Sequence, residues 1–318
     1  MAIQEISTLP KNGVYTEKTA ASLHLLDQGL QAVEKLMYDV VASDVTVLRD
    51  ASRHILQAGG KRIRPRMVLL SYLACGGRDI ERVIPVASAV ELVHTASVVH
   101  DDINDHGIVR RGRPSVNSIW GRTFALLTGD FLFTKVYELM APFGDLNILL
   151  ADATIALVEG ETLQASAVKD NNFTRQVYYD IIARKTAALF KSGAMLGAKL
   201  ANAPASYVEV LGNYGFNLGL AFQIIDDVLD LTGNTEQLGK TAGIDLEQGR
   251  GFAAVYEGGQ DLMESIKRKV LKGDVLQEAR EQAQQLIDMA VIGLNILPET
   301  PERDDLIDLS HLVIDRTH

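Results

Sequence analysis

Two stretches of this chain end in the same acidic pattern, Asp101-Asp102-Ile103-Asn104-Asp105 and Asp226-Asp227-Val228-Leu229-Asp230. Each DDxxD closes an apolar run with helical spacing. Residues four apart share a helix face, so Asp101 points with Asp105 and Asp226 with Asp230. Buried carboxylates repel at close range. A fold that buries both patterns must therefore place cations between them. Carboxylate oxygens suit a hard divalent ion, and Mg²⁺ held by few carboxylates usually also holds a phosphate. One copy alone could be a solvated helix end, but two in a single chain make that reading poor.

The rest of the chain reads as helices. Leu23, Leu26, Leu30, Val33 and Leu36-Met37 recur at spacings of three and four, an amphipathic pattern over 17–43. A second helix is expected over 44–58, capped by Ser43 or Asp44 and ended by Gly59-Gly60. Further helices are expected at about 65–75, 80–104, 118–141, 145–168, 174–201, 204–232, 259–271 and 274–295, with one short helix in the tail. Residues 106–117 and 233–251 read as polar, Gly-containing loops. Strand-like alternation, a fixed-period repeat and a low-complexity linker are all missing from the pattern. The expectation is one all-α domain over 1–318, with 1–16 a flexible leading segment.

Composition narrows the function. A formal charge of −10 argues against a nucleic-acid partner. The single cysteine, Cys75, allows no disulfide within the chain and fits a reducing cytoplasm. The N-terminus has no basic region followed by an apolar core, so no signal peptide is expected. The longest apolar run, 84–99, is interrupted by Glu91 and His94 and reads as a buried core helix too short to span a bilayer.

Basic residues accompany the acidic pair. Gly59-Gly60-Lys61-Arg62-Ile63-Arg64-Pro65 stands at a helix start, where glycines admit a ligand to the backbone and the helix terminus favours an anion. Lys61 and Arg64, three apart, are expected to share a face. Arg110-Arg111 follow the first DDxxD and can clamp phosphate oxygens. Lys185-Thr186 lie mid-helix and Lys240 in the late loop. His94 lies two turns before Asp101, and Gln223 one turn before Asp226.

These segments together resemble the trans-isoprenyl diphosphate synthases, or polyprenyl synthetases. The matching text is GGKRIRP (59–65), ELVHTASVVHDDINDHGIVRRGRPSVN (91–117), GDFLF (129–133), ARKTAALF (183–190), FQIIDDVLDLTG (222–233) and GKTAGIDLEQGR (239–250), in family order. The resemblance implies an all-α helical bundle around a central elongated cavity, usually a homodimer, with three Mg²⁺ ions. It implies that Asp101, Asp102 and Asp105 bind two ions, and that Asp226, supported by Asp227 and Asp230, binds the third. Lys61, Arg64, His94 and Arg111 match contacts to isopentenyl diphosphate. Arg110, Lys185, Thr186, Gln223 and Lys240 match contacts to the allylic diphosphate.

Ala96 and Ser97, five and four residues before the first aspartate, are small where bulky aromatics stop the growing chain in this family. A product longer than farnesyl is therefore expected, with a transient membrane contact on its release. Ile244 replaces the family's usual Asn or Ser, Arg250 its Lys, and 251–254 its usual continuation, which leaves the role of Arg250 open. The alternatives are a farnesyl or geranylgeranyl diphosphate synthase, a class I terpene cyclase, and a non-catalytic partner subunit.

Overall fold

A computed structural model of the chain describes residues 17–170, 172–232 and 274–315. Eleven helices are labelled in chain order: α1 (Glu17–Val40), α2 (Thr46–Gln57), α3 (Ile63–Ala74), α4 (Ile84–Asn104), α5 (Val116–Met140), α6 (Asp145–Lys169), α7 (Arg175–Ile182), α8 (Ala188–Leu200), α9 (Ala205–Thr232), α10 (Asp274–Gly293) and α11 (Pro301–Ile314). The fold is all-α, as the periodicity predicts. The expected segment 1–16, the loop with Lys240 and Arg250, and the helix expected over 259–271 lie outside the described residues.

One cluster of buried apolar side chains runs from Leu26 to Val313. Helix α3 is its axis, since every residue of it except Arg66 is buried. Helices α1, α4 and α8 pack around it, α9 packs on α8, and α11 closes over α3. A helix buried on all sides shows little amphipathic contrast, which is why α3 and α4 read in sequence as apolar runs rather than stripes.

Several expectations are corrected in detail. Helix α2 begins at Thr46, and Val45 at its N-cap makes no side-chain cap bond; the Ser43 hydroxyl instead accepts from the Val45 amide at 3.1 Å. Ile80–Arg82 is a separate 3₁₀ turn before α4. Residues 106–117 contain a two-residue antiparallel ladder, β1 (Val109–Arg110) with β2 (Arg113–Pro114). It is too short to give an alternation signal. The helix expected over 174–201 changes to a π turn at Ala183–Ala187, a local widening common at functional sites. The stretch Ile80–Asn104 is long and apolar enough to cross a membrane, contrary to the expectation from its apolar run, but 72% of its most apolar window is buried inside the protein. Its length serves the core.

Helix α11 carries a misplaced charge. Oδ2 of Asp305 is buried without a hydrogen-bond partner. Burial, then Asp308 and Glu302, push its carboxyl up to about 6, against the pull of Arg66. A carboxyl whose pKa is raised in the folded state stabilises the fold below its unfolded pKa, and that contribution is lost as pH rises through the folded value. Asp305→Asn is therefore expected to raise the melting temperature at about pH 8 and to leave it unchanged near pH ~4. Equal shifts at both pH values would contradict this assignment.

Candidate active site

A cleft of about 200 Å³ opens between α4, α6, α7, the π turn and α9. Helix α4 lines it with His94, Ser97, Val98 and Asp101, a stripe at spacings of three and four that Asp105 continues at the C-cap, and with Asp102. The end of α9 adds Phe222, Gln223, Asp226 and Asp227. The two acidic patterns, far apart in sequence, thus meet at one cavity. Helix α6 contributes Leu157, Glu161 and Gln164, and α7 with the π turn contributes Tyr178, Ile181, Ile182, Lys185 and Thr186.

Cations are interleaved with the acids. Arg110 grips Asp102 Oδ1 through Nε at 2.9 Å and Nη2 at 2.6 Å. Burial pushes the Asp102 carboxyl up, against the pull of Arg110. Lys185 Nζ lies 2.8 Å from Glu161 Oε1, 3.3 Å from Gln164 Oε1 and 3.7 Å from Asp101 Oδ2. Burial alone would lower the Lys185 pKa, but Asp101 and Glu161 outweigh it and raise it, so the ammonium is held charged. Burial and then Asp101 push Glu161 up to about 7. His94 is pushed well below its ordinary value by burial and then by Arg64, Arg111, Arg110 and Arg62. Its imidazole is therefore neutral and can donate only one N–H.

The π turn is positioned by Gly160 of α6. A Cβ there would lie 2.5 Å from the Lys185 amide nitrogen, so only glycine lets α6 come this close to Lys185. Arg64, in the first turn of α3, lays its guanidinium 4.6 Å from the Phe190 ring centroid and 5.7 Å from that of Phe222. The aromatic faces hold the cation by their quadrupoles and aim it into the cleft.

Not every expected residue lines the cleft. Lys61 precedes α3, because Arg62 takes a left-handed φ of 48° at its N-cap. The shared helix face expected for Lys61 and Arg64 is therefore absent: Lys61 is exposed and Arg64 is buried. Arg111 is exposed, and its guanidinium rests on Gly60, where a Cβ would lie 2.7 Å from Nη1. Gly60 has φ +149°, a backbone conformation that strains any side chain there. Asp230 is buried one turn beyond Asp226. Ala96 is fully buried in the core, and the cleft wall takes Ser97 and Val98 instead.

Sequence reasoning missed Glu161, Gln164, Tyr178 and the pair Arg62–Glu91. Arg62 Nη1 meets the buried Glu91 Oε1 at 3.0 Å, Nε meets Glu34 at 3.1 Å, and Nη2 donates to the Leu56 carbonyl at 3.2 Å. This clasp ties the glycine-rich turn to α4 one helical turn before His94. The signals were polar residues on apolar helices: Glu91 within α4, and Glu161 and Gln164 on the same face of α6 as Leu157.

The donor set fits a hard divalent metal. Five carboxylates from two helix ends line the cleft, and Asp102 Oδ2 is buried without a hydrogen-bond partner. Among the described residues, no three acidic, imidazole or thiol groups form a ready-made metal cage. That suits an ion taking only one or two carboxylates and completing its shell with water and phosphate oxygens.

Comparison with known proteins agrees with this chemistry. Residues 45–289 match the family model described as polyprenyl synthetase. The chain is similar to octaprenyl diphosphate synthase of Escherichia coli (strain K12), 32% identical over 92% of this chain and 97% of the relative. It is 37% identical to heptaprenyl diphosphate synthase component 2 of Geobacillus stearothermophilus, over 92% and 97%. A polyprenyl synthase from Caulobacter crescentus CB15, complexed with calcium and isoprenyl diphosphate, superposes with a TM-score of 0.87 at 31% identity, covering 96% of this chain and all of that one.

The Arg62–Glu91 clasp gives a stability prediction. Glu91→Ala would remove the buried charged partner of a guanidinium whose side chain is 9% exposed. A loss of about 3 kcal/mol is expected in urea unfolding, typical of breaking a buried pair. A loss below ~1 kcal/mol would mean that Glu34 and the Leu56 carbonyl suffice to hold Arg62.

Proposed function

The chain belongs to the polyprenyl synthetase family, and on that premise we infer that its cleft condenses an allylic prenyl diphosphate with isopentenyl diphosphate, head to tail, into an all-trans polyprenyl diphosphate. It is a prenyltransferase whose product is longer than farnesyl. The observation that carries the site assignment is the meeting of both DDxxD patterns with Arg64, His94, Arg110 and Lys185 around one cavity. A second diphosphate site, which Lys61, Arg64, His94 and Arg111 would form, is what favours chain elongation over cyclisation.

Enzymes of this family depend on a divalent metal. In our reading Asp101, Asp102 and Asp105 hold two magnesium ions, and Asp226, supported by Asp227 and Asp230, holds a third. Magnesium bound there supplies positive charge where the departing diphosphate gathers negative charge. Arg110, Lys185, Thr186 and Gln223, with Lys240, hold the allylic diphosphate. Lys61, Arg64, neutral His94 and Arg111 hold that of isopentenyl diphosphate. Charges fixed before the reaction stabilise the transition state without reorganising.

The allylic C–O bond breaks as the isopentenyl double bond attacks the delocalised cation. A proton then leaves the isopentenyl unit for the released diphosphate, so no protein nucleophile is required. Val98, Leu157, Ile181, Ile182, Leu189 and Phe222 line the cleft with apolar surface. They exclude the water that would quench the cation.

We read the described residues as part of one domain, because a single core cluster joins α1 to α11. A homodimer through α5 and α6 fits the exposed surface. Of the seventeen large apolar side chains exposed among the described residues, ten lie on these two helices, including Phe124, Leu127, Ile148 and Ile155. Light scattering should give twice the chain mass; a monomer at micromolar concentration would remove this element.

Purified protein incubated with Mg²⁺, isopentenyl diphosphate and each allylic primer should yield products longer than farnesyl by mass spectrometry. Product formed from an allylic diphosphate alone would indicate a cyclase. Asp101→Ala and Asp226→Ala should each lower kcat on the order of a hundredfold or more at saturating Mg²⁺; full turnover in both would sink the metal assignment. For chain length, Ser97→Phe is expected to shorten the product because Ser97 faces the cleft. Ala96→Phe should instead cost about 1–3 kcal/mol of stability by overpacking. Unchanged product length in Ser97→Phe would place the length control elsewhere.

A further inference from the structure

Tyr178 carries no role in the mechanism above, yet it touches the acidic machinery. It is 1% exposed, and its hydroxyl donates to Asp227 Oδ2 at 2.8 Å, from α7 to α9. The other oxygen, Oδ1, accepts from Gln223 Nε2 at 2.9 Å. Gln223 Oε1 in turn accepts from the Thr186 hydroxyl at 2.8 Å. Both oxygens of Asp227 are therefore engaged by side chains, one from its own helix and one from a neighbour.

The tyrosine is itself fixed. Its ring meets Tyr179 edge-on at 5.5 Å between centroids and Phe173 at a tilt at 6.4 Å. Burying a hydroxyl costs free energy unless it finds a partner. Here the partner is a carboxylate of the second DDxxD rather than a backbone carbonyl. A charge-assisted bond of this kind orients the acceptor as well as stabilising it.

We propose that Tyr178 is a positioning residue for the second acidic pattern: by fixing the Asp227 carboxylate it sets the geometry in which Asp226 and Asp227 meet a divalent cation. This rests on the metal reading of the second DDxxD given above. Groups that orient metal-binding carboxylates commonly change metal affinity or activity by about 10–100-fold when lost.

The test uses the full-length protein with Mn²⁺ and inorganic pyrophosphate as probes, free Mn²⁺ being followed by electron paramagnetic resonance. Wild type, Tyr178→Phe, Asp226→Ala, Asp227→Asn and the double variant Tyr178→Phe/Asp227→Asn are compared. Tyr178→Phe should weaken Mn²⁺ binding about tenfold, with a melting temperature within about 4 °C of wild type. In turnover assays the Mg²⁺ concentration for half-activity should rise more than kcat falls. In the Asp227→Asn background, Tyr178→Phe should add no further loss of Mn²⁺ binding.

Wild-type Mn²⁺ affinity in Tyr178→Phe, or a further full loss in the double variant, would overturn the positioning role. Should Tyr178→Phe not fold, Tyr178→His keeps a ring and a donor. Near-native Mn²⁺ affinity there supports donation to Asp227, and a tenfold loss overturns it. If Asp226→Ala binds Mn²⁺ as wild type does, the metal reading itself fails, an outcome distinct from failure at Tyr178 alone.

Discussion

Electrostatic repulsion among carboxylates at one cavity governs this structure. Asp101, Asp102, Asp105, Asp226, Asp227 and Glu161 all line the same cleft. Without counter-charge such a cluster would force its members to take up protons or move apart. The fold answers with Arg110 on Asp102 and with Lys185 between Asp101 and Glu161. Bound metal would add to that balance. The cleft thus interleaves acids of three helices with cations held by neighbouring elements.

The scaffolding that holds these charges is long-range. The Arg62–Glu91 clasp fixes the glycine-rich turn against α4, and Arg111 rests on Gly60 of that turn. Gly160 lets α6 approach the π turn closely enough for Glu161 and Gln164 to reach Lys185. Arg64 is held on Phe190 and Phe222, and Phe222 belongs to the same stripe of α9 as Asp226. Each basic group is positioned by an element different from its own, so the two acidic patterns and their cations form one mechanical unit.

Much of this was legible in the residues. Three-and-four spacing located nearly every described helix, and residues of both DDxxD patterns line one cleft with Arg64 and Arg110. Ala96 and Ser97 show the limit of counting along a helix. Both lie at a short offset from Asp101, but a helix turns about 100° per residue, so adjacent positions face different surroundings. Ser97 faces the cleft while Ala96 packs in the core. The same limit hid the π turn, which changes no residue type, and the ladder at 109–114, which is too short for a period.

What the sequence determined by itself was the all-α class, the family, and the residues able to carry charge. Those follow from local periodicity and from residue chemistry. The tertiary structure alone decided which charges face each other: Glu161 with Lys185, Glu91 with Arg62, Tyr178 with Asp227. These partners are separated by between twenty and fifty residues and lie on different elements. Periodicity assigns a residue to a face of its own helix, but only packing brings that face against another.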